Sequence, residues 1–238
     1  MSIAAFIVLS ITIVLASCLQ GSIGFGMGMV AAPVVTLIDP SLLPGLLIML
    51  ALVITLAVAV KERAAINLGG AGWALFGRIP GTIAGGYLVS VLPDRWLGLL
   101  LGAVILGGVL LTVGGWQPEP TRPGMAAAGA ASGLLGTTTS IGGPPMALIW
   151  ASSSGARLRG TMAAFFLVGS TMSLAVLLLA GELDRRTLDL TLWFLPAVVL
   201  GYGASRYVNR FLSRERLRAT GLVVSVAGAL LLVANQIV

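Results

Sequence analysis

Two glycine-rich stretches concentrate the groups of this chain that can hold a small molecule. The first runs Gln20, Gly21, Ser22, Ile23, Gly24, Phe25, Gly26, Met27, Gly28 and closes at Pro33. The second passes Gly133 and Gly136, continues through the hydroxyl row Thr137, Thr138, Thr139 and Ser140, and ends on Gly142, Gly143, Pro144 and Pro145. Glycine lets a ligand come close to backbone N–H groups, while hydroxyls and the Gln20 amide donate hydrogen bonds. At the N-terminus of a helix such donors carry roughly half a positive charge, so they favour an anion without a charged side chain. The substrate-binding set read from these stretches is Gln20, Ser22, Gly24, Phe25, Gly26, Thr137, Thr138, Thr139, Ser140, Gly142, Gly143 and Pro144.

Arg78 is the one basic residue well inside an apolar segment, and Ile79, Pro80 and Gly81 follow it. A guanidinium buried in a membrane needs a partner. Arg78 either serves as a ligand for the substrate anion, or it snorkels to the headgroups or bonds carbonyls freed beside Pro80. The chain has no histidine, and its eight acidic residues, Asp39, Glu62, Asp94, Glu119, Glu182, Asp184, Asp189 and Glu215, fall at segment ends or in loops. Metal-dependent and Ser-His hydrolases need ligands or bases that this set lacks. The reading is therefore not an enzyme, with no catalytic residues, metal or cofactor. The single cysteine, Cys18, makes no intramolecular disulfide and reads as a packing residue.

The elements that hold these groups are membrane helices. Of the residues, 58% are hydrophobic and 9% charged, against about a quarter charged in soluble domains. Apolar segments lie near 2–20, 24–38, 42–60, 70–92, 96–115, 124–136, 142–153, 161–180, 188–207 and 217–236. A crossing helix takes roughly 20 apolar residues, so the fold class is an all-α polytopic membrane protein in contact with lipid. The first run has no Lys or Arg before it and leads directly into more apolar sequence, so it reads as mature structure. The net charge of +6 resides at segment ends, the pattern of orientation in a membrane and not of nucleic-acid binding. Trp96 and Trp116 read as interfacial anchors, and Gly85, Gly86, Gly107 and Gly108 as helix-packing contacts.

The chain is duplicated. Trp73, Gly81, Ala84 and Tyr87 match Trp193, Gly201, Ala204 and Tyr207 at an offset of 120, and Gly21, Gly24 and Pro33 match Gly133, Gly136 and Pro145 at an offset of 112. The organisation is a first transmembrane repeat over 1–115, a Pro-rich linker over 116–123 and a second repeat over 124–238. Each half opens with a segment that cannot stay helical, because an interior Gly costs about 1 kcal/mol and a Pro about 3 relative to Ala. Broken backbone at membrane depth must face protein or a water-filled cavity. If each broken segment crosses once, the loops divide their basic residues eight to five. If each is re-entrant, Lys61, Arg63, Arg122, Arg157, Arg159, Arg206, Arg210, Arg214, Arg216 and Arg218 face Arg95, Arg185 and Arg186, ten to three. The second division fits the positive-inside rule better. It makes each half a re-entrant segment plus three transmembrane helices, inverted relative to its twin, with both termini outside the cytoplasm.

At these motifs the chain resembles the TauE/SafE family of sulfite exporters, also described as the toluenesulfonate uptake permease family. The resemblance rests on Gln20 to Gly28, on Gly133, Gly136 and Gly142 to Pro145, and on the Pro-Gly-x-x-Ala-Gly-x-Tyr pattern of Pro80 to Tyr87. It implies a multi-pass permease in a bacterial inner membrane that transports sulfite, a sulfonate or another small organosulfur anion. A passive anion channel and a non-transporting membrane scaffold are the alternatives. Substrate, direction, coupling ion and oligomeric state, a homo-oligomer included, stay open at this point.

Overall fold

The computed structural model describes residues 1–114, 118–151, 153 and 155–211, with 223, 226–228 and 230 beyond them. Most of the segment 217–236, the residues Arg214, Glu215, Arg216 and Arg218, and the proposed anchor Trp116 lie outside the described residues. The helices are α1 (Ile3–Ile23), α2 (Met27–Ile38), α3 (Gly45–Lys61), α4 (Leu68–Val91), α5 (Asp94–Val113), α6 (Arg122–Thr139), α7 (Gly143–Ile149), α8 (Gly155–Leu179) and α9 (Arg185–Phe211), and no strand occurs among the described residues.

Side chains that accept hydrogen bonds at short range start several of these helices. Ser2, Asn67 and Thr121 cap α1, α4 and α6 by accepting from the N–H groups of Ala5, Gly70 and Gly124. Arg122 and Pro123, at the end of the Pro-rich stretch, form the first turn of α6, where a proline forfeits no intrahelical bond. Both glycine-rich stretches break their helices. Gly24 and Gly26, between α1 and α2, have φ of 94° and 111°, a left-handed region that a Cβ disfavours by about 1–2 kcal/mol. Between α6 and α7, Ser140 takes φ of 62° and Gly143 restarts the chain with Pro144 and Pro145 in the opening turn.

Helices α1 and α8, and Arg185–Val208 of α9, are each long and apolar enough to cross a membrane. Large apolar side chains point away from the protein along them and along α4: Ile7 and Ile11, Phe76 and Ile83, Leu192 and Trp193 are exposed. Such a surface suits lipid. Because lipid tails are as apolar as leucine, the helices must be held by close packing of small residues. A Cβ on Gly77 or Gly81 of α4 would overlap the carbonyls of Ala126 or Ala130 on α6, and one on Gly129 of α6 would overlap Ala74. The same relation recurs between α9 and α1, where Gly201 meets Val14 and Gly21 meets Tyr202 and Ser205. In both pairs the helices run parallel, and α3 packs on α8. Gly85, Gly86 and Gly108 are also packing contacts, against Thr137, Val176 and Pro144, whereas Gly107 faces open space.

Contacts at the helix ends tie the broken segments to their neighbours. Arg186, in the first turn of α9, pairs with Asp39 at the end of α2, and Phe6 near the start of α1 stacks on Phe194 of α9 at 5.0 Å. In the second half, a Cβ on Gly124 at the start of α6 would lie 3.3 Å from Ile149 at the end of α7. Arg159 of α8 holds Glu62 at the end of α3 at 2.6 Å.

Candidate functional site

The two breaks meet each other. A Cβ on Gly28 would collide with the backbone carbonyl of Ser140, and one on Gly143 would lie 2.8 Å from the Phe25 ring. Glycine at these two positions is what lets the tips approach. Next to the contact lies a cavity of about 50 Å³ lined by Gln20, Phe25, Gly26, Gly28, Ser140, Gly142 and Gly143 from the broken segments, with Arg78, Phe166, Ser170 and Ser173 opposite. Met29, Leu47, Ile48 and Ala51 form its apolar side. A single water needs roughly 10–15 Å³ on this scale, so the cavity accommodates an ion of a few heavy atoms.

Arg78 is 2% exposed, and no carboxylate approaches it among the described residues. Its Nη1 donates to Ser132 Oγ at 3.1 Å and its Nη2 to Ser173 Oγ at 3.4 Å, while Nε–H has no partner. Its Cζ lies 5.0 Å from the Phe165 ring centroid and 5.8 Å from that of Phe166. Gly169 on α8 makes the room: a Cβ there would overlap the guanidinium. Ser132 Oγ in turn donates to the Gly142 carbonyl at 2.6 Å, which ties the charge to the second break. Ser173 Oγ shares a hydrogen bond with Thr137 Oγ1 at 2.8 Å and donates to the Gly169 carbonyl at 3.0 Å.

The residues singled out in the sequence divide into three groups. Gln20, Phe25, Gly26, Ser140, Gly142, Gly143 and Arg78 line the cavity. Gln20 Oε1 accepts from Met27 N–H at 3.1 Å, so the side chain caps α2 and its amide nitrogen is left over at the cavity wall. Ser140 Oγ donates to the Pro44 carbonyl at 3.0 Å. Thr137 stands one layer back, behind Ser173. The others point elsewhere. Thr138 and Thr139 donate to carbonyls of their own helix and border a smaller cavity with Leu43, Leu97 and Leu101. Ser22 is buried outside the lining of the larger cavity, Gly24 packs on Arg159, and Pro144 packs on Gly108.

The helix N-termini at the breaks offer fewer donors than their positions suggest. Gln20 takes the first N–H of α2, and Pro144 and Pro145 have none to give at the start of α7. The strongest anion-directed group is the Arg78 guanidinium. Ser132, Ser170 and Ser173 are members of the site that the sequence reading missed. Their signal was the spacing of Gly169, Ser170 and Ser173, which places small and hydroxyl groups on one face of an otherwise apolar helix.

The family model described as Sulfite exporter TauE/SafE matches residues 9–232 of the chain. No curated protein and no solved structure matches it.

Proposed function

Since the chain belongs to the TauE/SafE sulfite exporter family, a family of membrane transporters, we propose that it carries a small sulfur oxyanion, sulfite or a short sulfonate, by way of the cavity at Arg78. The observation that carries this reading is a buried guanidinium that faces the cavity and, among the described residues, has neutral partners only. An uncompensated buried charge costs several kcal/mol even after relaxation. The two serine hydroxyls and two phenyl faces offset part of that cost, and a bound anion supplies the rest. Gln20, Ser170 and the backbone at Gly142 and Gly143 complete the binding surface. Thr137 acts through Ser173.

The same reading assigns the architecture. Each broken pair, α1–α2 and α6–α7, doubles back within a bacterial-type inner membrane, so each half has a re-entrant segment and three crossings, inverted relative to the other. Support comes from the Asp39–Arg186 pair, which brings the end of α2 to the start of α9, beside which α1 begins, and from Ile149 beside Gly124.

Binding of sulfite and methanesulfonate to purified protein, and their flux in proteoliposomes, test the proposal. Arg78→Gln should lose both binding and flux. A correctly inserted Arg78→Gln protein that binds and transports like the parent would place the anion site elsewhere.

A further inference from the structure

The charge around Arg78 selects an ionic form of the substrate. Among the described residues, α6 presents Ser132, Gly133 and Gly136 to the guanidinium, and α8 presents Phe165, Phe166, Gly169 and Ser173. None of these titrates. The charged residues on the same two helices, Arg122, Arg157 and Arg159, stand in the opening turns, with Arg122 over Trp73 and Arg159 paired to Glu62. Tyr87, the other titratable group of α4, is exposed on the outer face. Gln20, Phe25 and the glycines of the breaks line the cavity with neutral groups. Among the described residues the site therefore holds one positive charge.

A monoanion cancels that charge. A dianion leaves one negative charge over beside a guanidinium that is itself buried and has no second cation near it among the described residues, and burial of an unpaired charge is strongly disfavoured. Sulfite exists in both forms near neutral pH: hydrogensulfite with one charge and one proton, and the unprotonated dianion. Resting on the anion-carrier reading above, we infer that the site accepts sulfite as hydrogensulfite, so that the proton crosses on the substrate. The anion takes its proton from the solution it leaves and gives it up to the solution it enters, where it ionises. Transport then responds to pH without requiring a protein side chain to titrate.

The experiment compares ligands on the parent protein, so it depends on no variant folding. Binding of sulfite, methanesulfonate and sulfate to the purified full chain is measured by calorimetry from mildly acidic to mildly alkaline pH. Methanesulfonate is a permanent monoanion of similar size, and its affinity should stay level. Sulfite affinity should fall as the dianion forms, approaching about tenfold per pH unit. Sulfate should bind at least about tenfold more weakly than methanesulfonate throughout. Sulfite affinity that is level or rises with pH, or sulfate that binds as well as methanesulfonate, overturns the inference while leaving an anion site in place. If neither sulfite nor methanesulfonate binds at any pH, the anion site itself is refuted, and this inference with it.

Discussion

Arg78 occupies the position that Val198 holds in the other half, and Val198 is also buried. These two matched positions, 120 residues apart, thus supply one charge between them. An arginine kept there for stability would be a poor choice, because apolar replacement of a buried charge is often neutral or stabilising by about 1–4 kcal/mol. Arg78→Met should therefore raise the thermal midpoint of the ligand-free protein. It should also weaken methanesulfonate binding by about ten- to a hundredfold, the loss of a hydrogen bond to a charged group being roughly 1.5–3 kcal/mol. Thermal unfolding in detergent with and without ligand reads both effects. A lowered midpoint with binding intact would make Arg78 a packing residue. Arg78 was visible in the sequence as a charge in an apolar run. That Ser132 and Ser173 are its partners was not, because they come from helices 54 and 95 residues away.

At the scale of the elements, glycine does two jobs that look alike in the sequence. Gly81 lies against the Ala130 carbonyl, so Gly81→Ala should lower the thermal midpoint by driving α4 from α6, whereas Gly107 meets nothing among the described residues. Gly107→Ala should be neutral or raise the midpoint, since Gly inside a helix costs up to about 1 kcal/mol relative to Ala. Equal effects at the two positions would contradict the packing described above. The pairing of α2 with α9 is electrostatic. Burial works to raise the Asp39 carboxyl, but hydrogen bonds from Ser41 and Arg186 and the guanidinium charge outweigh it and hold the group below the usual carboxylate value. A depressed folded-state value stabilises above the unfolded pKa, about 3.9, and that contribution disappears as pH falls through the folded value. Asp39→Asn should therefore lose about 1 kcal/mol or less at neutral pH and converge with the parent in acid. Midpoints measured as a function of pH would show it, and a gap that persists in acid would assign Asp39 another role.

For the whole molecule, the proposed inversion places Arg122, Arg157 and Arg159 on the cytoplasmic side and Arg95, Arg185 and Arg186 outside. Cysteine introduced at Arg185 should react with an impermeant thiol reagent applied to intact cells, in a Cys18→Ser background, and cysteine at Arg122 should not. Labelling at Arg122 from outside would refute the inverted arrangement while leaving the helix packing untouched. The packing itself is pairwise symmetric, α4 with α6 as α9 with α1, which is the counterpart in space of the offsets of 120 and 112 in the chain.

What the sequence determined by itself was whatever depends on local chemistry. Hydropathy and helix-breaking costs are properties of neighbours in the chain, so the membrane helices and the breaks near Gly24 and Gly142 were legible in it, as was the absence of histidine. Tertiary structure decided which donors share a space. Thr137 to Ser140 are consecutive, yet successive residues of a helix point about 100° apart, so Ser140 lines the larger cavity, Thr137 stands behind Ser173, and Thr138 and Thr139 border the smaller one. Whether the buried Arg78 has a carboxylate beside it likewise depends on which helices pack together, and no local pattern in the chain encodes that.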